Sequence, residues 1–136
     1  MKIQKSSEDY LETMLMLSEQ RGYIKSIDIA RHLDVTKPSV SYATKRLREN
    51  GYITMDDDGL IHLTETGMSI ATKIYDRHKM LSRFLNLLGI DKETADEDAC
   101  KIEHDISQET YEAICNHVNN FLEECPAMNH EEEPSA

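Results

Sequence analysis

Residues 26–51, SIDIARHLDVTKPSVSYATKRLRENG, hold two helical patterns separated by a short break. The first packs through Ile29, Ala30 and Leu33. Thr36 is placed to cap the second, with Pro38 in the first turn, where a missing N–H costs nothing. That second helix runs to about Asn50, and Gly51 stops it. Val40, Ala43 or Thr44, and Leu47 make its inward stripe. Ser39, Ser41, Tyr42 and Lys45 face outward, with Lys37, Arg46 and Arg48 at the margins. A tight helix–turn–helix whose second helix is polar and basic outside has the layout of a DNA reader.

The flanks extend that layout. Upstream, residues 7–20 repeat Tyr10, Leu11, Met14, Leu15 and Leu17 at helical spacing, with Ser6 or Ser7 as a cap and Arg21-Gly22 as the end. Downstream, YITMDDDGLIHLT sets two apolar-rich runs around Asp57-Asp58-Gly59, a strong hairpin signal. Helix, turn, helix and hairpin, in that order, predict a winged helix-turn-helix. A long helix is expected from Thr66 to Leu88, ended by Gly89, then a shorter one over 92–105. A last helix, capped by Ser107, runs through Tyr111, Ile114, Val118 and Phe121 and ends before Pro126. The fold expected is mostly α with a small β-hairpin: a winged helix-turn-helix domain over 1–73, a second set of helices over 74–125, and an acidic disordered tail over 126–136.

Charge is divided to match. The net charge is -11, yet residues 1–80 carry 12 of the 15 Lys+Arg and 12 of the 26 Asp+Glu, which cancel. The excess acid lies entirely in residues 81–136, so only the front half can approach phosphate. Thr36, Lys37, Pro38, Ser39, Ser41, Tyr42, Lys45 and Arg46 are the expected DNA contacts. The small hydroxyls and Tyr42 can reach bases, while Lys37, Lys45, Arg46 and Arg48 hold phosphates. The wing tip at residues 56–58 is acidic and is not expected to grip phosphate. The plain competing reading is a helical protein whose basic helix is only a solvated face. The joint order of cap, turn and hairpin favours the DNA reader.

A second constellation carries chemistry. Cys100, Glu103 and His104 stand at i, i+3 and i+4, which in a helix is one face. Asp9 and Glu12 are i and i+3 on the first helix, and His78 lies on the long fourth one. Each alone has an ordinary explanation: a first-turn charge, a solvated carboxylate, a surface histidine beside Arg77, a buried cysteine. Together they offer carboxylates and imidazoles suited to Mn2+ and Fe2+, with a thiolate that adds softness.

The segments SEDYLETML, DIARHLDVTKPSVSYATKRLRENGYI, GLIHLTETG, YDRHKMLSRFLNLLGID and ACKIEHDIS occur in order over about residues 6–107. In this the chain resembles the diphtheria toxin repressor and manganese transport regulator family of metal-dependent repressors. The resemblance implies a winged-helix domain and a helical dimerisation domain sharing a divalent metal, without the C-terminal SH3-like domain of larger members. By position it carries the family's ligands onto Asp9, Glu12, His78, Cys100, Glu103 and His104. Asp9 follows the manganese-type pattern and Cys100 the iron type, so the set is a hybrid. Ser82 and Asp96 stand where the iron sensors' ancillary site has Glu and His. Mn2+ is the first choice of cofactor and Fe2+ the second, with Zn2+ or Co2+ able to substitute in vitro. The partners implied are an operator in double-stranded DNA and a second copy of the chain, and the role is repression of metal-uptake genes.

No run of about 18 apolar residues exists, and the start lacks a signal-peptide stretch, so a cytoplasmic protein with no membrane partner is expected. Three rivals remain, one of them a metal-independent structural or partner-binding protein. Cys100, Cys115 and Cys125 could serve a redox- or small-molecule-responsive winged-helix regulator. An enzyme would need a nucleophile, zincin or phosphate-loop motif, and the sequence has none.

Overall fold

The computed structural model describes residues 5–124. The chain forms two compact units, Met1–Asp76 and Arg77–Ala136. Unit 1 contains α1 (Lys5–Arg21), α2 (Ser26–Leu33), α3 (Lys37–Glu49), β1 (Ile53–Met55), β2 (Ile61–Leu63) and the first half of α4 (Glu65–Leu87). This is the winged helix-turn-helix order. Its core joins Tyr10, Leu11, Met14, Leu15 and Leu17 of α1 to Ile29 and Ala30 of α2, Val40 and Leu47 of α3, Ile53 and Ile61 of the wing, and Ala71 of α4. Burying each large aliphatic side chain contributes about 1.5–3 kcal/mol. α1 begins before the expected start, so Ser6 and Ser7 lie inside its first turn instead of capping it.

The turn between α2 and α3 is closed by Asp34, left-handed at φ 55°, whose N–H bonds the Ala30 carbonyl. Thr36 then caps α3, its side chain accepting from the Ser39 N–H at 3.2 Å. Gly51 at φ 81° ends the helix, and Tyr52 N–H returns to the Leu47 carbonyl at 3.0 Å. The wing is an antiparallel pair with Ile53 opposite Leu63, Thr54 opposite His62 and Met55 opposite Ile61. A further bridge joins Lys25 to Leu60, and Ile61 N–H donates to the Ile24 carbonyl at 3.0 Å. The segment before α2 thus borders the wing, a pairing the sequence did not announce.

Unit 2 holds the rest of α4, α5 (Lys92–Ile102) and α6 (Gln108–Glu124). Asp91 caps α5 by accepting from Thr94 N–H at 3.2 Å, which holds its carboxyl below the usual range. α5 ends at Ile102, short of the expected 105. Glu103 is its C-cap, and a tighter bond from Asp105 N–H to the Ile102 carbonyl (3.1 Å) turns the chain. His104 therefore lies in a turn and not on the helix. Ser107 caps α6 through Thr110 N–H at 3.1 Å. Leu81, Ala95, Ala99 and Val118 are buried. The expected disordered tail at 126–136 and Cys125 lie outside the described residues. Among those described, no helix is long and apolar enough to cross a membrane.

Candidate DNA-reading helix and metal centre

Thr36, Lys37, Pro38, Ser39, Ser41, Tyr42, Lys45 and Arg46 are all exposed along the start and outer face of α3. Val40, Thr44 and Leu47 face inward, so the stripe passes through Thr44 and leaves Ala43 half-buried. The Thr44 hydroxyl is satisfied by donating to the Ser41 carbonyl at 3.1 Å. The cap presents hydroxyls in pairs: Thr36 Oγ1 and Ser39 Oγ are hydrogen-bonded at 2.8 Å. Tyr42 stands 65% exposed. The Arg46 guanidinium lies 5.8 Å from its ring centroid and donates to its hydroxyl at 3.4 Å. The i, i+4 spacing of the two residues was the available sign of this pairing.

The wing tip has its own order. Asp56 accepts from the N–H groups of Asp58 (2.9 Å) and Leu60 (3.0 Å), and His62 Nε2 lies 3.0 Å from its other oxygen. The His62 imidazole first, and then these N–H groups, hold the Asp56 carboxyl below the usual range. Part of the acidity legible in the sequence is thus engaged within the hairpin.

The expected metal ligands fall in both units. In unit 1, Asp9 and Glu12 sit one turn apart on α1, half-buried beside the core residues Tyr10, Leu11 and Thr13. Tyr75 of α4 is also in this unit. Burial, and beyond it the Glu19 and Glu12 carboxylates, push its hydroxyl pKa up.

In unit 2, Glu103 is fully buried between two imidazoles. His78 Nδ1 lies 2.9 Å from Glu103 Oε2, and His104 Nε2 lies 3.3 Å from Glu103 Oε1. The His104 side chain is 1% exposed. Cys100 is on the exposed side of α5, a turn before Glu103. A buried carboxylate flanked by two imidazoles fits a divalent cation, because buried charge persists where it is paired or coordinates metal. At the two ancillary positions the Ser82 hydroxyl donates to Asp96, and Lys92 Nζ donates to Asp96 at 2.9 Å. Burial pushes the Asp96 carboxyl up, but the Ser82 and Lys92 contacts outweigh it and leave it lowered.

A further residue beside this cluster carries no signal in spacing or motif. Arg77, which precedes His78, is buried at 8% exposure. Its Nη1 donates to the carbonyls of Glu103 (3.0 Å) and Ile106 (3.1 Å), and Nη2 donates to Gln108 Oε1 at 2.8 Å. Its guanidinium carbon lies 5.1 Å from the Tyr111 ring centroid.

Comparison with known proteins covers both halves. Residues 2–61 match the iron-dependent repressor N-terminal DNA-binding domain, and residues 64–132 match the iron-dependent repressor metal-binding and dimerisation domain. The chain is 38% identical over 118 residues to an uncharacterised HTH-type transcriptional regulator of Methanocaldococcus jannaschii, covering 85% of this chain and 94% of that one. It is 34% identical over 119 residues to the HTH-type transcriptional regulator MntR of Bacillus subtilis, covering 88% and 84%. Among solved structures, T. acidophilum IdeR matches with TM-score 0.75 at 26% identity, over 88% of this chain and 55% of that one. The manganese regulator SloR matches with TM-score 0.73 at 30% identity, over the same 88% and 55%. The chain thus spans about half the length of these two solved relatives. An exposed, capped recognition helix, a wing, and a buried carboxylate–imidazole cluster accompany these matches, and the chain belongs to the diphtheria toxin repressor and MntR family of metal-dependent transcriptional regulators.

Proposed function

We propose that the protein is a homodimeric, cytoplasmic repressor of metal-uptake genes that senses Mn2+, or secondarily Fe2+, through Asp9, Glu12, His78, Cys100, Glu103 and His104. The observation that carries this reading is the fully buried Glu103 with an imidazole against each carboxylate oxygen. Three carboxylates favour Mn2+, and SloR, a described manganese regulator, is 30% identical. The Cys100 thiolate draws the set toward Fe2+.

A divalent cation at this centre supplies the positive charge that lets several carboxylates share one site. The chain's own residues do the rest. Asp9 and Glu12 belong to the helix whose other face forms the core under the recognition helix. Glu103 and His104 belong to the turn before α6. Ligands drawn from both units couple metal occupancy to the spacing of two recognition helices in a dimer. That spacing must match half-sites one helical turn apart, or a multiple. A useful switch needs a coupling of about 1–3 kcal/mol. On DNA, the Thr36 and Ser39 hydroxyls, Ser41 and Tyr42 address bases. Lys37, Lys45 and Arg46 address phosphates, and Pro38 fixes the start of the helix.

The test selects a duplex from a random library with Mn2+-loaded protein. Its affinity is then measured by fluorescence anisotropy, with and without Mn2+, for wild type and Glu103→Ala. Metal should tighten binding by wild type about tenfold or more and leave Glu103→Ala unmoved. Equal affinity in all four cases rules out metal control.

A further inference from the structure

Arg77 is an anomaly. It is a buried guanidinium whose hydrogen bonds, among the described residues, go to two backbone carbonyls and one amide oxygen instead of a carboxylate. Burying such a charge is costly unless its surroundings are negative. Here the negative partner is the end of a helix. Glu103 is the C-cap of α5, and carbonyls at a helix C-terminus carry partial negative charge.

The acceptors have a pattern. Glu103 opens the turn between α5 and α6, Ile106 nearly closes it, and Gln108 is the first residue of α6. One guanidinium therefore spans the turn that contains Glu103 and His104. Its neighbour on α4, His78, meets the carboxylate of Glu103 while Arg77 takes the carbonyl of the same residue. Glu103 is thus fastened at both ends, backbone and side chain, by consecutive residues of one helix. A lysine ammonium gathers its three donors on one atom, whereas here the acceptors are reached from two nitrogens, Nη1 and Nη2, held apart in one planar fork.

We infer that Arg77 is a positioning residue for the metal centre: it clamps the 103–108 turn so that Glu103 and His104 are held in a ligating arrangement before any cation arrives. The inference rests on the reading of Glu103 and His104 as ligands. The Tyr111 ring, its centroid 5.1 Å from the guanidinium carbon, adds a cation–π contact to the clamp. Groups that orient ligands without touching the metal commonly govern affinity by about 10–100-fold.

The experiment uses the full chain and measures Mn2+ affinity from the electron paramagnetic resonance signal of free Mn2+, alongside the thermal midpoint of the metal-free protein. Arg77→Met keeps bulk but removes every donor, Arg77→Lys keeps charge but not the fork, and Gln108→Ala removes only one acceptor. Leu81→Ala, a buried change in the same unit, is the control for general destabilisation. Expected are a loss of Mn2+ affinity of about tenfold or more in Arg77→Met, an intermediate loss in Arg77→Lys, and little change in Gln108→Ala and Leu81→Ala. If Arg77→Met does not fold, Arg77→Lys against Leu81→Ala decides the question by the same ordering. Folded Arg77 variants that bind Mn2+ as wild type does, or a Leu81→Ala loss as large as theirs, overturn the positioning role alone. Wild-type protein that binds neither Mn2+ nor Fe2+ overturns the metal reading and takes the inference with it.

Discussion

Gly67→Ala sets two effects against each other. Gly67 lies in the first turn of α4, where alanine is favoured by about 1 kcal/mol on helix propensity alone. A Cβ at this position, however, would overlap the Tyr52 carbonyl oxygen and stand 2.9 Å from its carbon and 3.3 Å from its Cα. These are backbone atoms, and they are pinned. Tyr52 N–H bonds the Leu47 carbonyl, and the Tyr52 carbonyl accepts from Thr64 N–H, both at 3.0 Å. Thr64 adds a hydroxyl bond to the Gly51 carbonyl at 2.7 Å and accepts from Gly67 N–H at 3.2 Å. Relief requires α4 to withdraw by roughly an ångström from the junction between recognition helix and wing. Overpacking of this kind costs about 1–3 kcal/mol, and each hydrogen bond loosened adds about 1 kcal/mol. Sterics win, for a net destabilisation of about 3 kcal/mol and a midpoint lowered by on the order of 10 °C. Thermal unfolding of the metal-free protein followed by circular dichroism measures it. A midpoint at or above wild type would refute the close packing of α4 on Tyr52.

Three further outcomes are expected. Cys100→Glu should keep the Mn2+ response of DNA binding while weakening the Fe2+ and Zn2+ responses; an unchanged metal ranking means that the thiolate does not set selectivity. Asp56 is held below its ordinary value, so its contribution to wing stability is present above the unfolded carboxyl pKa of about 3.9 and is lost as pH falls through the lower folded value. His62→Ala should move the Asp56 titration upward in a carboxyl-detected NMR experiment, and coincident curves would remove the imidazole as the cause. Tyr42→Ala should cut the preference for the selected duplex over a scrambled one by about tenfold, whereas Lys45→Ala should weaken both alike and lower the salt slope by about 1. The reverse pattern would exchange their roles.

Local chemistry made the reading unit legible. Thr36 with Pro38, Gly51, and Asp58-Gly59 each act within a few residues, and all appear where spacing and turn chemistry put them. The same holds for the inward stripe of α3. Legibility failed where partners are distant or are backbone. α5 stops at Ile102 because the chain tightens there, and no glycine or proline marks the place. The acceptors of Arg77 lie 26, 29 and 31 residues on, and two of them are carbonyls that every residue has. The bridge from Lys25 to Leu60 likewise leaves no trace in periodicity. The i, i+3, i+4 spacing singled out Glu103 and His104 as candidate ligands, and the two side chains do lie together, although His104 sits beyond the helix that the spacing presumed.

That bridge bears on how the protein is made. Ile24 cannot receive its hydrogen bond until Ile61 has been synthesised, so the three leading helices emerge from the ribosome lacking a side of their enclosure. A fragment ending at Gly51 should therefore collapse without settling into one well-packed state. In the intact chain the Ile61 amide should resist hydrogen exchange as strongly as the helices do, since wing and helices then open as one cooperative foldon.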